Sequence, residues 1–141
     1  IERLLEYFKQ VADFLKVEAV FLYGSQAGGI PHPNSDVDIA IVFKDEELSE
    51  EELFNSLNTV TIELTGILDC EVNLIPVYKD FRRPMLYYNA IVKGIPIFTA
   101  RLEYYTRLLN EAIYQMEDFE IFGRGWQIDL ARRNLREIGN G

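Results

Sequence analysis

Asp36 and Asp38 stand two residues apart where an apolar run begins, and ten residues separate them from the Gly24-Ser25 pair that closes an earlier apolar run. Residues i and i+2 of a strand point to the same face, so the two carboxylates project side by side. Adjacent carboxylates repel one another unless a cation lies between them. A Gly-Ser turn leaves backbone N–H groups open to an anion, and the Ser25 hydroxyl can bond a phosphate oxygen. Mg²⁺ commonly combines one or two carboxylates with waters and substrate phosphates. The pattern points to metal-assisted handling of a phosphate group. Asp36 and Asp38 are the expected metal ligands, and Gly24 and Ser25 the expected phosphate-binding residues.

Metal-assisted phosphoryl or nucleotidyl transfer commonly uses a third carboxylate, to bridge a second metal or to take a proton from the attacking hydroxyl. Asp69, Glu71 and Asn73 alternate along a third apolar stretch and are expected to share a face. If that strand lies beside the second, Glu71 is the first candidate for the third acid and Asp69 the fallback.

The elements that must hold these residues follow from periodicity. Leu4, Leu5, Phe8, Val11, Ala12 and Leu15 recur at helical spacing and predict an amphipathic helix over residues 2–16. Residues 19–23 and 37–43 read as strands. A helix is expected from Glu50 to Gly66, with Leu53, Leu57, Val60 and Leu64 on its buried side and Ser49 to Glu52 as a capping box. Cys70 to Ile75 reads as a third strand stopped by Pro76, and Pro84 opens a helix that reaches about Lys93. Ile95 to Phe98 suits an edge strand because Pro96 has no N–H to donate. A long helix starts near Leu102, and Gly123-Arg124-Gly125 is expected to interrupt it before a last helix over 126–138. The order predicts an α/β (α+β) unit: a small mixed sheet flanked by helices, with residues 1–100 as the core and 101–141 as a helical extension of the same domain.

Composition narrows the function classes. A chain of 141 residues with 48% hydrophobic and 26% charged content suits one soluble domain. No apolar run has the length of a membrane span. The net charge of −9 disfavours broad binding to a nucleic-acid backbone. The lone Cys70 excludes an internal disulfide, reads as a core residue, and suits a reducing cytoplasm. His32 reads as a loop residue, Tyr104, Tyr105 and Tyr114 as core or partner surface, and Arg124, Arg132, Arg133 and Arg136 as a solvated helical face.

Gly-Ser, ten residues and Asp-x-Asp together resemble the signature of the DNA polymerase β-like nucleotidyltransferase superfamily. The short chain is similar to the superfamily's minimal nucleotidyltransferases. Two further segments carry that likeness: Tyr88 to Phe98, which resembles the family's helix, turn and short strand, and Tyr114 to Phe119, which resembles its Tyr-x-x-Asp-Phe segment. The resemblance covers about residues 1–120.

It implies a Mg²⁺-dependent enzyme, with two ions held by Asp36, Asp38 and Glu71 and with ATP as the substrate. AMP would pass to a hydroxyl, a tyrosine on a co-encoded HEPN-fold toxin, which makes the chain the antitoxin of a type VII toxin–antitoxin system. Homo-oligomerisation is left open. The family's turn often reads Gly-Ser-Arg-Ala-Arg-Gly, whereas this chain has Gly24-Ser25-Gln26-Ala27-Gly28-Gly29. Two cations that could steady phosphate are absent, and Lys79, Arg82, Arg83 and Lys93 are the candidates to compensate. The departure keeps open a degenerate, non-catalytic protein that covers its partner. Transfer to a small hydroxylated molecule is the other alternative.

Overall fold

The computed structural model describes residues 1–24, 36–44 and 48–139, with side chains as far as residue 121. Four helices and four strands follow in the order α1 (Glu2–Leu15), β1 (Val17–Tyr23), β2 (Val37–Phe43), α2 (Glu50–Leu68), β3 (Val72–Pro76), α3 (Pro84–Ile91), β4 (Ile95–Thr99) and α4 (Leu102–Gly139). The sheet has the order β3-β2-β1-β4. β1 runs antiparallel to β2 and β4, and β2 runs parallel to β3. This is the mixed sheet and α+β architecture that the sequence predicts, with β4 and its Pro96 at an edge.

Both faces of the sheet are covered, which is why its central strands read as continuous apolar runs. On one face Leu4, Phe8 and Ala12 of α1 and Val60 and Leu64 of α2 pack on Val17, Val20, Leu22, Ile39, Ile41 and Val72. On the other, Tyr87, Ala90 and Ile91 of α3 and Leu108 and Ala112 of α4 pack on Ala19, Phe21, Ala40 and Val42. The alternation along β2 therefore puts Ile39 and Ile41 toward α1 and α2. Ala40 and Val42 face α3 and α4. Asp36 and Asp38 continue this second set beyond the covered part of the sheet.

Several boundaries differ from expectation for local reasons. Gly66 does not end α2; the helix continues to Leu68 and stops at Asp69, which adopts a left-handed conformation with φ 52° and donates its N–H to the Thr65 carbonyl. Asp is one of the few residues besides Gly that visits this region. Ser49 caps the other end as predicted, its Oγ accepting the Glu52 N–H at 3.1 Å. Cys70 is half-buried in the turn before β3 rather than in a core strand. The predicted break at Gly123-Arg124-Gly125 is absent, since α4 is one helix of 38 residues. A glycine within a helix costs about 1 kcal/mol relative to alanine, too little to end a long helix by itself.

Gly94 has a definite steric role. A Cβ there would collide with the Ala90 carbonyl and lie 2.8 Å from the Leu22 carbonyl oxygen. Its absence lets the end of α3 approach β1 closely. A β-bulge between Val17 and Ala19 leaves Glu18 unpaired with β2. The Glu18 carboxylate is 1% exposed and accepts from Nε of Arg101 at 2.8 Å, which ties the start of α4 to the sheet. Oε2 of Glu18 has no hydrogen-bond partner among the described residues.

Candidate active site

β1 ends at Tyr23, directly opposite Asp38 in the β1/β2 register, and Gly24 follows with φ 77°. That backbone region costs an L side chain roughly 1–2 kcal/mol. The space is closed as well: a Cβ on Gly24 would strike Oδ2 of Asp38 and sit 3.3 Å from its Cγ. Gly24 is thus the residue type that lets the turn lie against the carboxylate. Ser25, the Gln26–Gly29 segment and His32 lie outside the described residues.

Parallel pairing sets Val37 beside Val72 and Asp38 beside Asn73. The Glu71 carbonyl accepts the Val37 N–H at 2.9 Å, so Glu71 lies at the entry to β3 next to the acid pair in register. The side-chain amide of Asn73 donates to Oδ2 of Asp36 at 3.1 Å and to Oδ1 of Asp38 at 3.3 Å. One donor therefore holds two half-buried carboxylates together. Asn73 is the site residue whose role the sequence reading missed. Its place in the run Asp69, Glu71, Asn73 was the available signal, but the bridge depends on the β2/β3 register.

The remaining acids are arranged differently. Asp69 is the exposed cap of α2, in the turn that precedes β3. Among the described residues, no three His, Cys, Asp or Glu side chains converge as a ready-made metal cluster. The donor set of Asp36 and Asp38 nonetheless suits a hard cation: both are carboxylates, and both already direct an oxygen at one shared electropositive group, the Asn73 amide.

Tyr23 borders the acid pair through its register partner Asp38. Its hydroxyl pKa is raised, chiefly by burial and further by the Asp38 charge, while the Arg83 guanidinium opposes the rise. Arg82, in contrast, grips Asp80 through Nε at 3.1 Å and Nη2 at 3.0 Å and lies 3.9 Å from the Tyr78 ring centre. Lys93 lies 5.9 Å from the Tyr88 ring centre. A cavity of about 500 Å³ lies at the other end of β2 and β3 against Phe43, Pro76, Tyr78 and Arg82. Asp36 and Asp38 do not line it.

The family described as "Polymerase beta, Nucleotidyltransferase" matches residues 2–102, most of the chain and all four strands. The chain belongs to this nucleotidyltransferase family. Solved structures share its fold. A chain in a toxin–antitoxin structure with AMP-PNP is 17% identical, with a TM-score of 0.68 over 90% of this chain and 98% of that one. A chain of the toxin–antitoxin pair MntA-HepT is 14% identical, with a TM-score of 0.65 over 93% and 99%. A third belongs to a complex of the tri-AMPylated Shewanella oneidensis HEPN toxin with its MNT antitoxin, at 14% identity and a TM-score of 0.64 over 92% and 98%. No curated protein matches the sequence. No helix among the described residues is long and apolar enough to cross a membrane.

Proposed function

We propose that this nucleotidyltransferase-family chain transfers AMP from ATP to a tyrosine hydroxyl of a HEPN-fold toxin and so acts as an antitoxin. The observation that carries the reading is the Asp36–Asp38 pair, gathered by Asn73 beside the Gly24 turn in a family of nucleotidyltransferases. Fold relatives in a structure with AMP-PNP and in a complex with a tri-AMPylated HEPN toxin support ATP as donor and a HEPN protein as acceptor.

Asp36 and Asp38 would hold Mg²⁺, with Glu71 as third carboxylate and Asp69 as fallback. Bound Mg²⁺ would neutralise charge on the phosphates and on the departing pyrophosphate. Gly24, with no side chain, lets the turn approach the triphosphate, and Ser25 is the proposed hydroxyl donor to it. The acceptor oxygen attacks the α-phosphorus as the bond to the bridging oxygen of the β-phosphate breaks. The acceptor proton passes to a carboxylate, for which Glu71 is the candidate base. AMP remains on the acceptor and pyrophosphate leaves.

The test is to incubate the protein with Mg²⁺, α-labelled ATP and the HEPN-fold protein encoded beside it, then locate label by intact mass. Asp36→Asn and Asp38→Asn should each abolish labelling. Normal turnover in either variant would sink the assignment. Tight binding to the neighbour with no transfer would instead support the non-catalytic covering role, for which the turn lacking arginine speaks.

A further inference from the structure

Val42 lies four residues beyond Asp38 on the same face of β2, about 13 Å further along the strand. Between them α3 packs over Ala40, so the surroundings of Val42 are separate from the acid pair. There the buried side chains of Val42, Val77, Phe81 and Leu108 floor a cavity of about 270 Å³. Tyr104, Arg107, Leu108 and Glu111 form one wall, because positions i, i+3, i+4 and i+7 share a helix face. The opposite wall is the turn from Val77 to Phe81. Phe81 takes φ 46°, its N–H donates to the Tyr78 carbonyl at 3.1 Å, and its ring meets Tyr87 edge-on at 5.6 Å. These contacts tie the turn to α3, and a wall already in place lowers the ordering cost of binding.

Arg107 gives this apolar cavity its polar chemistry. It is exposed at the rim, and no ion pair or hydrogen bond engages it among the described residues. Glu111 stands one turn further on, but its Oε1 accepts from Nε2 of Gln115 at 2.8 Å instead. An arginine placed N-terminal to a glutamate is also the weaker order for an i,i+4 pair. The guanidinium is thus left for an acid from outside the chain. Lys79, itself engaged, adds a second positive charge to the lining.

We propose that this cavity receives one large apolar side chain of a protein partner, from a segment whose neighbouring Asp or Glu pairs with Arg107. Size argues for a side chain: pockets that enclose a whole small molecule run to about 300–1,000 Å³. Charge argues for the acid, since a planar guanidinium offers paired donors that match a carboxylate. An apolar anchor in a pocket, ringed by polar contacts, is also how protein interfaces concentrate their affinity. The docking site is independent of the transfer chemistry, because neither the acid pair nor Gly24 lines it.

The test titrates methyl-labelled protein with three capped peptides, Ser-Glu-Phe-Glu-Ser, Ser-Lys-Phe-Lys-Ser and Ser-Glu-Ser-Glu-Ser, and with phenylacetate. Acids flank the Phe on both sides because the cavity does not fix the chain direction. NMR shifts of the Val42, Val77 and Leu108 methyls report occupancy, and thermal melts check that each variant folds. The acidic Phe peptide should bind in the millimolar range, with the other two peptides weaker by about fivefold or more. Arg107→Gln should weaken the acidic peptide by about fivefold, and Arg107→Lys should recover part of the loss. Leu108→Trp should fill the cavity and block the peptide, whereas Lys9→Gln on α1 should match wild type. The proposal is overturned if the acidic Phe peptide binds no better than either of the others, or if Arg107→Gln leaves its affinity unchanged. Absence of a shift at these methyls up to about 10 mM peptide overturns it as well. Phenylacetate binding as tightly as the acidic peptide also overturns it, since the cavity is then a small-molecule site.

Discussion

Gly24 and Asp38 fit together as turn and carboxylate: any Cβ at position 24 would enter the space of Asp38 Oδ2. The contact couples the two halves of the sequence motif, because a change in the turn displaces the acid. Gly24→Ala should therefore lower transfer by about a hundredfold or more and lower stability by about 1–2 kcal/mol, the cost of its left-handed backbone. Rates and urea midpoints measured together check this. A variant with near-normal turnover would show that the turn and Asp38 are not coupled.

Asn73 holds Asp36 and Asp38 together by donating to both. Without that amide the paired carboxylates depend more on a cation. Asn73→Ala should show a larger rise in melting temperature on addition of Mg²⁺ than wild type does, by several degrees. Identical Mg²⁺ responses in the two proteins would remove Asn73 from this role.

Tyr7 on α1 donates its hydroxyl to Glu63 on α2, and burial, followed by this bond and the Glu63 charge, raises its pKa far above the ordinary tyrosine value. A raised folded pKa stabilises the protein fully below the unfolded value of about 10 and loses that contribution as pH climbs toward the folded value. Wild type should lose stability above about pH 10 more steeply than Tyr7→Phe, with the difference small at pH 8. Parallel stability curves for the two proteins from pH 8 to pH 11.5 would contradict this.

Glu18 is buried with Arg101 as its partner. Removal of Arg101 leaves that carboxylate uncompensated, whereas removal of the charge from both residues leaves a neutral pair of groups. Arg101→Ala should lower the melting temperature by about 5 °C, and adding Glu18→Gln should restore much of the loss. If the double variant melts no higher than Arg101→Ala, the charge on Glu18 is not the cause.

Strand β2 was legible to the residue, because residues 37–43, apolar except for Asp38, form a run that local pattern suffices to define. Equally legible were the Asp36-x-Asp38 pair and the helix cap at Ser49, both decided within a few residues. The end of α2 was less legible: Gly66 was a plausible stop, yet the helix runs on to Leu68, which packs against the core, and Asp69 takes the left-handed cap. Likewise α4 passes through Gly123 and Gly125, whose local penalty is small beside the cooperativity of a long helix.

Contacts between residues far apart in the chain were not legible in this way. Asn73 meets Asp36 across 37 positions because β3 joins β2 in a parallel register. Nothing within either segment specifies which strand edge β3 will occupy. The same holds for the basic residues after β3. Arg82 and Arg83 are neighbours in sequence, but one grips Asp80 while the other stands at the N-cap of α3, its carbonyl accepting the Tyr87 N–H. A local pattern encodes residue type and periodicity; long-range pairing and helix docking decide which charges share a face.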